Sequence, residues 1–268
     1  MKRHTHTVML VGILAFCSLP LPAAGDPGVQ ESNNERLNNY LQRTETQVDA
    51  DGVYHYPADT ELSRSDDLLD AAEFFTLEGE QEGDGCRFTI SDEEENEGVN
   101  HRVETREVSF DPNTCTSVFL KTTTIDQEGL GIPQAEESTE AGWTRSGWFQ
   151  VHLKDPIRLT VNWVRTHRTV SSNGTYSGAG NTGHFSQSGW ARTRYNHSDS
   201  YYESRTTALF TNVAFCNPFA AIYADYTRVA LTATPSGGNF TKSAAYSKSG
   251  DCAFLLSFGT SSLIGPKR

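Results

Sequence analysis

The segment AGWTRSGWFQVHLKDPIRLTVNWVRTHRTV, residues 141–170, decides the predicted fold. Aromatic and β-branched residues alternate with polar residues on both sides of Asp155-Pro156, a dipeptide typical of turns. The pattern therefore predicts two consecutive strands, each with one face toward a core and one face toward water. In the second strand, the apolar set predicted to face the core is Ile157, Leu159, Val161 and Trp163.

Charge and composition change at the start of this segment. Residues 26–140 carry 29 acidic and 7 basic side chains, whereas residues 141–268 carry 5 acidic and 13 basic ones. This split indicates either two structural units or one unit whose acidic part covers a basic face. The predicted divisions are a signal peptide at 1–25, a flexible leader at 26–58, an acidic helix and β-hairpin unit at 59–120, a linker at 121–140 and an antiparallel β domain at 141–268.

The chain after residue 170 contains five further strand candidates, separated by clusters of Ser, Asn, Gly and Pro. Their predicted bounds are 184–195, 200–213, 220–233, 239–247 and 252–258. The glycine-rich sequence SNGTYSGAGNTG at 172–183 is interpreted as a hairpin loop. Seven short strands with such turns predict a mainly β protein whose C-terminal half is an antiparallel β-sandwich or barrel, and the sequence does not choose between the two.

The acidic half is predicted to hold one helix and one hairpin. Apolar residues recur at helical spacing between Asp59 and Leu77, with acids in the first turns. Two strand candidates, CRFTIS and HRVETREVSF, flank the run DEEENEG at 92–98. We interpret this run as a solvated hairpin tip, because its carboxylates repel one another. It lacks the residue pattern of an EF-hand, so no calcium site is predicted.

The N-terminus has the three parts of a secretory signal peptide. Lys2 and Arg3 precede an apolar stretch from Val8 to Leu21, and small residues at 23–25 provide a cleavage site. The stretch is shorter than the roughly 20 residues of a membrane-spanning helix. We therefore expect a secreted, extracellular protein with no stable membrane insertion after cleavage of the signal.

Four cysteines remain after the predicted cleavage, and an even number in a secreted chain favours disulfides. Three pairings are open to four cysteines. The pairs Cys86–Cys115 and Cys216–Cys252 are preferred, because each falls within one compositional half. No close Cys-x-x-Cys pair suggests a zinc site, and the sequence predicts no metal site and no cofactor.

The order of motifs resembles a group of secreted bacterial β-rich proteins of unassigned activity. The motifs are FDPNTC at 110–115, GWTRSGWFQV at 142–151, DPIRLTVNWVRT at 155–166 and the SGW strand at 188–190. The resemblance covers residues 86–195. It implies an envelope or extracellular location and brings no activity, cofactor or catalytic residue.

Motifs for the common catalytic mechanisms are absent from the sequence. It has no HExxH, Gly-x-Ser-x-Gly, P-loop or dinucleotide-binding pattern. The pairs His197–Asp199 and His152–Asp155 each offer only two metal ligands, and polar turns explain such residues as well. Because the basic charge lies in one half beside an acidic half, nucleic acid is not an expected partner.

Two functional hypotheses remain. The first is a non-catalytic surface or binding protein that uses Trp143, Trp148 and Trp190 to contact a glycan or an extracellular protein, unless these rings are buried in the core. The second is an extracellular carbohydrate hydrolase in which Glu203 and Asp225 form the pair of carboxylates that glycoside hydrolysis requires. Two carboxylates that converge in an aromatic-lined cleft would favour the second.

Overall fold

The computed structural model describes residues 32–58, 72–94, 100–126, 142–215, 221–233 and 238–267. The predicted signal peptide at 1–25 lies outside the described residues. Residues from Asn33 onward belong to one compact unit. No helix in the described ranges has the length and the apolar character needed to span a membrane.

Strands make up most of the described chain, so the protein is mainly β, as the sequence predicts. Among the described residues, α1 (Asn33–Leu41) is the only α-helix, and short 3-10 turns span Ser186–Ser188 and Ala253–Leu255. The strands are β1 (Gln47–Val48), β2 (Tyr54–His55), β3 (Ala72–Glu78), β4 (Glu80–Glu82), β5 (Gly85–Glu94), β6 (Asn100–Asp111), β7 (Thr116–Asp126), β8 (Thr144–Lys154), β9 (Thr160–Ser171), β10 (Tyr176–His184), β11 (Trp190–Asp199), β12 (Glu203–Asn212), β13 (Ile222–Thr232), β14 (Phe240–Ser249) and β15 (Ser257–Ile264).

Two antiparallel sheets form a sandwich-like fold. Sheet A has nine strands, in the order β1-β2-β6-β15-β8-β9-β10, with β7 paired to β6 and β3 paired to β7. Sheet B has six strands, in the order β11-β12-β13-β14-β5-β4. Buried apolar side chains from both sheets form one core, in which Phe258 of sheet A packs against Tyr226 and Tyr246 of sheet B.

The predicted boundary between an acidic unit and a basic β domain is wrong, because strands of both halves share each sheet. The last strand, β15, pairs with β6 of the acidic half on one side and with β8 on the other. In sheet B, β5 of the acidic half pairs with β14. Residues 121–126 of the predicted linker belong to β7. The charge asymmetry therefore lies within one fold and does not separate two domains.

Part of the predicted flexible leader has regular structure. Leu37 and Tyr40 of α1 are buried in a small apolar cluster with side chains of β6 and β7, and β2 pairs with β6. The helix predicted between Asp59 and Leu77 is wrong where the structure describes it, because Ala72–Glu78 forms β3. Residues 59–71 of that prediction lie outside the described residues.

The predicted disulfide between Cys86 and Cys115 is present, with the two Cα atoms 5.5 Å apart. It does not close a hairpin, because Cys86 lies in β5 of sheet B and Cys115 precedes β7 of sheet A. The bond therefore crosslinks the two sheets. Cys252 is also disulfide-bonded, but its predicted partner Cys216 lies outside the described residues.

The double variant Cys86→Ala/Cys115→Ala is expected to lower the free energy of unfolding by about 3 kcal/mol. The bond spans 29 residues of sequence, and its loss frees a long loop in the unfolded chain. Alanine keeps a Cβ at position 115, where φ is 51°, so the substitution does not change the backbone strain there. Urea unfolding followed by tryptophan fluorescence measures the difference. Equal midpoints for the variant and the wild type would contradict a stabilising crosslink.

The predicted turn at Asp155-Pro156 joins β8 to β9. Oδ1 of Asp155 accepts hydrogen bonds from the amides of Ile157 and Leu159, at 3.1 and 2.9 Å. The predicted apolar face is wrong at these two residues, because they lie in the turn and are 74% and 50% exposed. The alternating side chains of β9 that face the core are Asn162, Val164, Thr166, Arg168 and Val170.

The opposite sheet supplies hydrogen-bond partners for the polar members of this inward face, which removes much of the cost of burying them. The hydroxyl of Tyr226 donates to Oδ1 of Asn162. The hydroxyl of Thr166 donates to the carbonyl of Val229, at 2.6 Å. Of the predicted apolar set, Val161 is buried and Trp163 is half-buried on the outer face.

The segment predicted as a glycine-rich loop contains all of β10 except its last residue, His184. Its glycines permit a close approach to sheet B, because a Cβ at Gly178 would lie 2.1 Å from Ser204 Oγ and 2.5 Å from Asp199 Oδ1. No side chain fits in that space. The edge strand of sheet A therefore lies against side chains at the edge of sheet B.

Candidate binding site

The two carboxylates of the predicted hydrolase site do not converge. Glu203 forms an ion pair with Arg228, and Asp225 forms one with Arg194 at 2.6 Å. Asp225 lies opposite Leu209, six residues along β12 from Glu203. Six residues of strand span about 20 Å, which exceeds the roughly 5–10 Å between paired catalytic carboxylates. The predicted catalytic pair is therefore wrong.

The two His–Asp pairs have other partners. His197 Nδ1 lies 3.1 Å from a threonine hydroxyl, and Asp199 pairs with Arg168 at 3.2 Å. Asp155 of the second pair accepts hydrogen bonds from turn amides. Within the described ranges, no group of three or more His, Cys, Asp or Glu side chains is placed to hold a metal ion.

The three predicted tryptophans do not form one exposed surface. Trp190 is 2% exposed, so the prediction that it contacts a ligand is wrong. Trp143 is half-buried, and Nζ of Lys267 lies 4.8 Å from its ring centroid. Trp148 is half-buried on the outer face of sheet A, where the guanidinium of Arg165 lies 4.4 Å from its ring centroid.

The most exposed aromatic cluster consists of three tyrosines at one end of the sandwich. Tyr176, Tyr201 and Tyr202 are 42%, 41% and 61% exposed, and we call them the tyrosine patch. The rings of Tyr176 and Tyr201 meet edge to face at a centroid distance of 5.8 Å, and those of Tyr201 and Tyr202 do so at 5.0 Å. Their hydroxyl groups form no hydrogen bond with any described residue, so they are available to a ligand.

The backbone of the turn between β11 and β12 holds two of these rings in place. The amide of Ser200 donates to the carbonyl of Glu203 at 2.8 Å, and the amide of Glu203 donates to the Ser200 hydroxyl at 3.1 Å. The amide of Ala233, just after β13, donates to the carbonyl of Tyr202 at 3.0 Å. Serine at position 200 suits a tight turn, because its hydroxyl accepts the hydrogen bond of the Glu203 amide in place of a backbone carbonyl.

Below the patch, a buried arginine ties the turn to both sheets. The side chain of Arg168 in β9 is 0% exposed, and its guanidinium donates to the carbonyls of Ser200, Tyr201 and Ala233. It also pairs with Asp199. Such a planar group with several donors fixes the relative positions of its acceptors. Burial lowers the pKa of Arg168, and the charge of Asp199 acts in the opposite direction.

Nearby charges are neutralised within the protein. Arg168 pairs with Asp199, and Glu203 pairs with Arg228. The second turn at this end of the sandwich, Ser172–Thr175, adds exposed Ser, Asn, Gly and Thr. Tyrosine with small polar residues is a composition typical of recognition surfaces, because tyrosine gives contact area at low entropic cost and small polar residues adapt their hydrogen bonds. The patch can therefore stack on a ligand and bond to it without demanding a charge.

A small cavity is a poorer candidate for a functional site. It lies between the disulfide and Lys248, is lined in part by Cys86 and Phe110, and has a volume of about 50 Å³. This space suits a few water molecules and no larger ligand.

The sequence patterns did not predict the tyrosine patch. Tyr176 fell in a segment interpreted as a loop, and no role was predicted for Arg168. Tyr201 and Tyr202 lay inside the strand candidate 200–213, whereas β12 begins at Glu203, so the turn that displays these rings was not predicted. The link from this turn to β9 depends on sheet packing, which no local pattern encodes.

Comparison with known proteins adds no family to this description. Searches of protein-family models, of curated proteins and of solved structures find no match to the chain.

Proposed function

We propose that this protein is a secreted, non-catalytic binding protein that recognises a glycan through the tyrosine patch. The observation that carries the proposal is the rigid display of three exposed tyrosine rings above the buried Arg168. Exposed rings lose little entropy on binding when their supporting turn is already fixed. An uncharged polyhydroxyl ligand fits the patch, because the charged groups beside it are paired internally.

An extracellular location supports this choice of ligand. The sequence begins with a signal-like segment, and the described chain holds a disulfide, a bond typical of oxidising compartments. The motif order that resembles secreted bacterial β-rich proteins agrees with the same location. A surface glycan or a secreted polysaccharide is the partner class expected there.

Tyr202→Ala is expected to weaken glycan binding about tenfold, because it removes the most exposed ring of the patch. The mature protein is tested by isothermal titration calorimetry against soluble neutral glucan, mannan, xylan, galactan and chitin oligosaccharides. Tyr223→Ala is the matched control, because Tyr223 is 43% exposed but lies near the opposite end of β13, nine residues from Thr232. The control should keep wild-type affinity.

Three results would contradict the proposal. One is the absence of binding to any glycan of the panel by the wild-type protein. Another is equal loss of affinity in Tyr202→Ala and Tyr223→Ala. That result would indicate that the glycan contacts exposed tyrosine side chains in general and has no preference for the tyrosine patch. Hydrolysis products in the glycan samples would argue for catalysis and against a pure binding role.

A further inference from the structure

A second unusual surface lies on the outer face of sheet A, on the side of β9 that faces away from the core. Trp148 and Arg165 share this face because Trp148 pairs with His167 and Gln150 pairs with Arg165 in the β8–β9 register. The guanidinium carbon of Arg165 lies 4.4 Å from the ring centroid of Trp148 and 5.4 Å from that of Trp163. We call Trp148, Trp163, Arg165 and His167 the tryptophan–arginine face.

Some hydrogen-bond donors of the Arg165 side chain have no partner among the described residues. Its Nε donates to Oε1 of Gln150 at 2.9 Å, whereas its two terminal amino groups make no hydrogen bond or ion pair with any described residue. Other outward arginines differ in this respect: Arg194 and Arg228 each pair with a carboxylate. Arg165 is half-buried between indole rings, so these free donors are partly desolvated, and an anion there would gain a stronger interaction than in open water.

Among the described residues in the row of Arg165 across sheet A, the one carboxylate is distant and already paired. Strand register places Glu104 of β6 in the same row as Arg165, with β15 and β8 between them. Three strand spacings amount to about 14 Å. Glu104 is already paired with Arg102 and Arg106, at 2.7 and 3.0 Å. On the other side of Arg165, its neighbour on β10 is the uncharged Asn181.

His167 adds an imidazole ring whose neutral form is favoured. It is half-buried next to Trp148, and burial together with the charge of Arg165 lowers its pKa. No carboxylate of the described residues compensates Arg165 or His167 in these rows. The face therefore presents aromatic rings and the positive charge of one unpaired guanidinium fork.

We propose that the tryptophan–arginine face binds an acidic polysaccharide, with a uronate carboxylate on the free amino groups of Arg165 and sugar rings against Trp148 and Trp163. The guanidinium fork matches a carboxylate in geometry as well as in charge. This site is separate from the tyrosine patch and does not depend on it.

Charge complementarity and the shape of the site favour a polyuronate over a nucleic acid. Nucleic acid binding draws on many phosphate contacts along a basic groove, whereas this face offers one unpaired arginine. The single guanidinium of Arg165, flanked by the rings of Trp148 and Trp163, suits a polymer that carries one carboxylate on each sugar.

The test measures binding of polygalacturonate, of neutral galactan and of an oligothymidylate to the mature protein by biolayer interferometry, at about 50 and about 200 mM NaCl. Wild-type protein should bind polygalacturonate, and more weakly at the higher salt concentration. Arg165→Gln should lower this affinity about tenfold. The affinity of Arg165→Lys should lie between those of the wild type and Arg165→Gln, because lysine keeps the charge but lacks the planar guanidinium.

Arg194→Gln is the matched control, because it removes the same charge from the outer face of sheet B. It should change the affinity for polygalacturonate by less than about twofold. Circular dichroism and thermal unfolding check that each variant is folded. If Arg165→Gln does not fold, Arg165→Lys still tests the role of the guanidinium.

Four outcomes would overturn the proposal. They are no binding of polygalacturonate at the lower salt concentration, equal loss in Arg165→Gln and Arg194→Gln, equal weakening of galactan and polygalacturonate binding by Arg165→Gln, and tighter binding of the oligothymidylate. The last would assign the face to nucleic acid.

Discussion

Replacing Lys248 with methionine is expected to lower the free energy of unfolding by about 3–5 kcal/mol. Lys248 of β14 and Glu107 of β6 form an ion pair at 3.0 Å, with side-chain exposures of 1% and 0%. The pair joins the two sheets, and it joins the acidic half of the sequence to the basic half. Without Lys248, the carboxylate of Glu107 would be a buried charge with no counterion.

The surroundings of the pair explain why it is stable in the core. Nζ of Lys248 donates to the hydroxyl of Tyr56 and to the carbonyl of Leu256 as well as to Glu107, and it lies 4.2 Å from the ring centroid of Phe110. All three of its donors are therefore used. Burial lowers the pKa of Lys248, and the charge of Glu107 opposes that shift.

A double variant separates the cost of an orphaned charge from the loss of a contact. Lys248→Met/Glu107→Gln should be more stable than Lys248→Met alone, because no unpaired charge remains in the core. As a surface control, Arg194→Gln should cost less than about 1 kcal/mol, since its pair with Asp225 is partly exposed. Urea unfolding of the oxidised proteins gives all four values. A cost for Lys248→Met as small as that of Arg194→Gln would contradict the account.

Replacing Arg168 with methionine is expected to cost about 3–5 kcal/mol of stability and to weaken glycan binding at the tyrosine patch about tenfold. The substitution removes the donors for the carbonyls of Ser200, Tyr201 and Ala233 and leaves Asp199 without its cation. The turn that carries Tyr201 would then lose its link to sheet A.

Hydrogen exchange distinguishes this local effect from general destabilisation. In Arg168→Met, the amides of Ser200, Glu203 and Ala233 should exchange faster than those of β8 and β15, relative to the wild type. Arg168→Lys should restore part of the stability and less of the turn protection, because lysine cannot reach all the acceptors in one plane. Unchanged protection of the turn, together with unchanged glycan binding, would refute the positioning role of Arg168.

The sequence predicted the class of fold because strand alternation and turn residues are local signals. β12, β13 and β14 lie close to the predicted 200–213, 220–233 and 239–247, and the turn at Asp155-Pro156 is confirmed. The last strand was predicted at 252–258, but β15 spans Ser257–Ile264. Its partners β6 and β8 are distant in sequence, so no local pattern could reveal that the two halves share sheets.

The prediction of which side chains of β9 face the core was wrong for a physical reason. The set Ile157, Leu159, Val161 and Trp163 is more apolar than the alternate set, and hydrophobicity alone favours its burial. The structure buries Asn162, Thr166 and Arg168, because β13 and the β11–β12 turn place acceptors and donors opposite them. Those partners depend on the register between strands, which single-sequence alternation does not contain.

The same limit applies to the candidate site. The exposed tryptophans expected from composition are half-buried or buried, because large rings add apolar area to the core or stack on arginine. The tyrosine patch combines residues from β10 and from the β11–β12 turn, which meet because Gly178 lets the two sheet edges approach. The disulfide Cys86–Cys115 was predicted, whereas the tyrosine patch was not.

The most direct test of the account is to map the glycan on the protein by amide chemical shifts. The mature protein, labelled with nitrogen-15, is titrated with the oligosaccharide of the neutral panel that binds most tightly. We expect shifts confined to Tyr176 and the turn from Ser200 to Glu203, with none near Tyr223. Shifts centred elsewhere, or no shifts at saturating concentrations, would contradict recognition through the tyrosine patch.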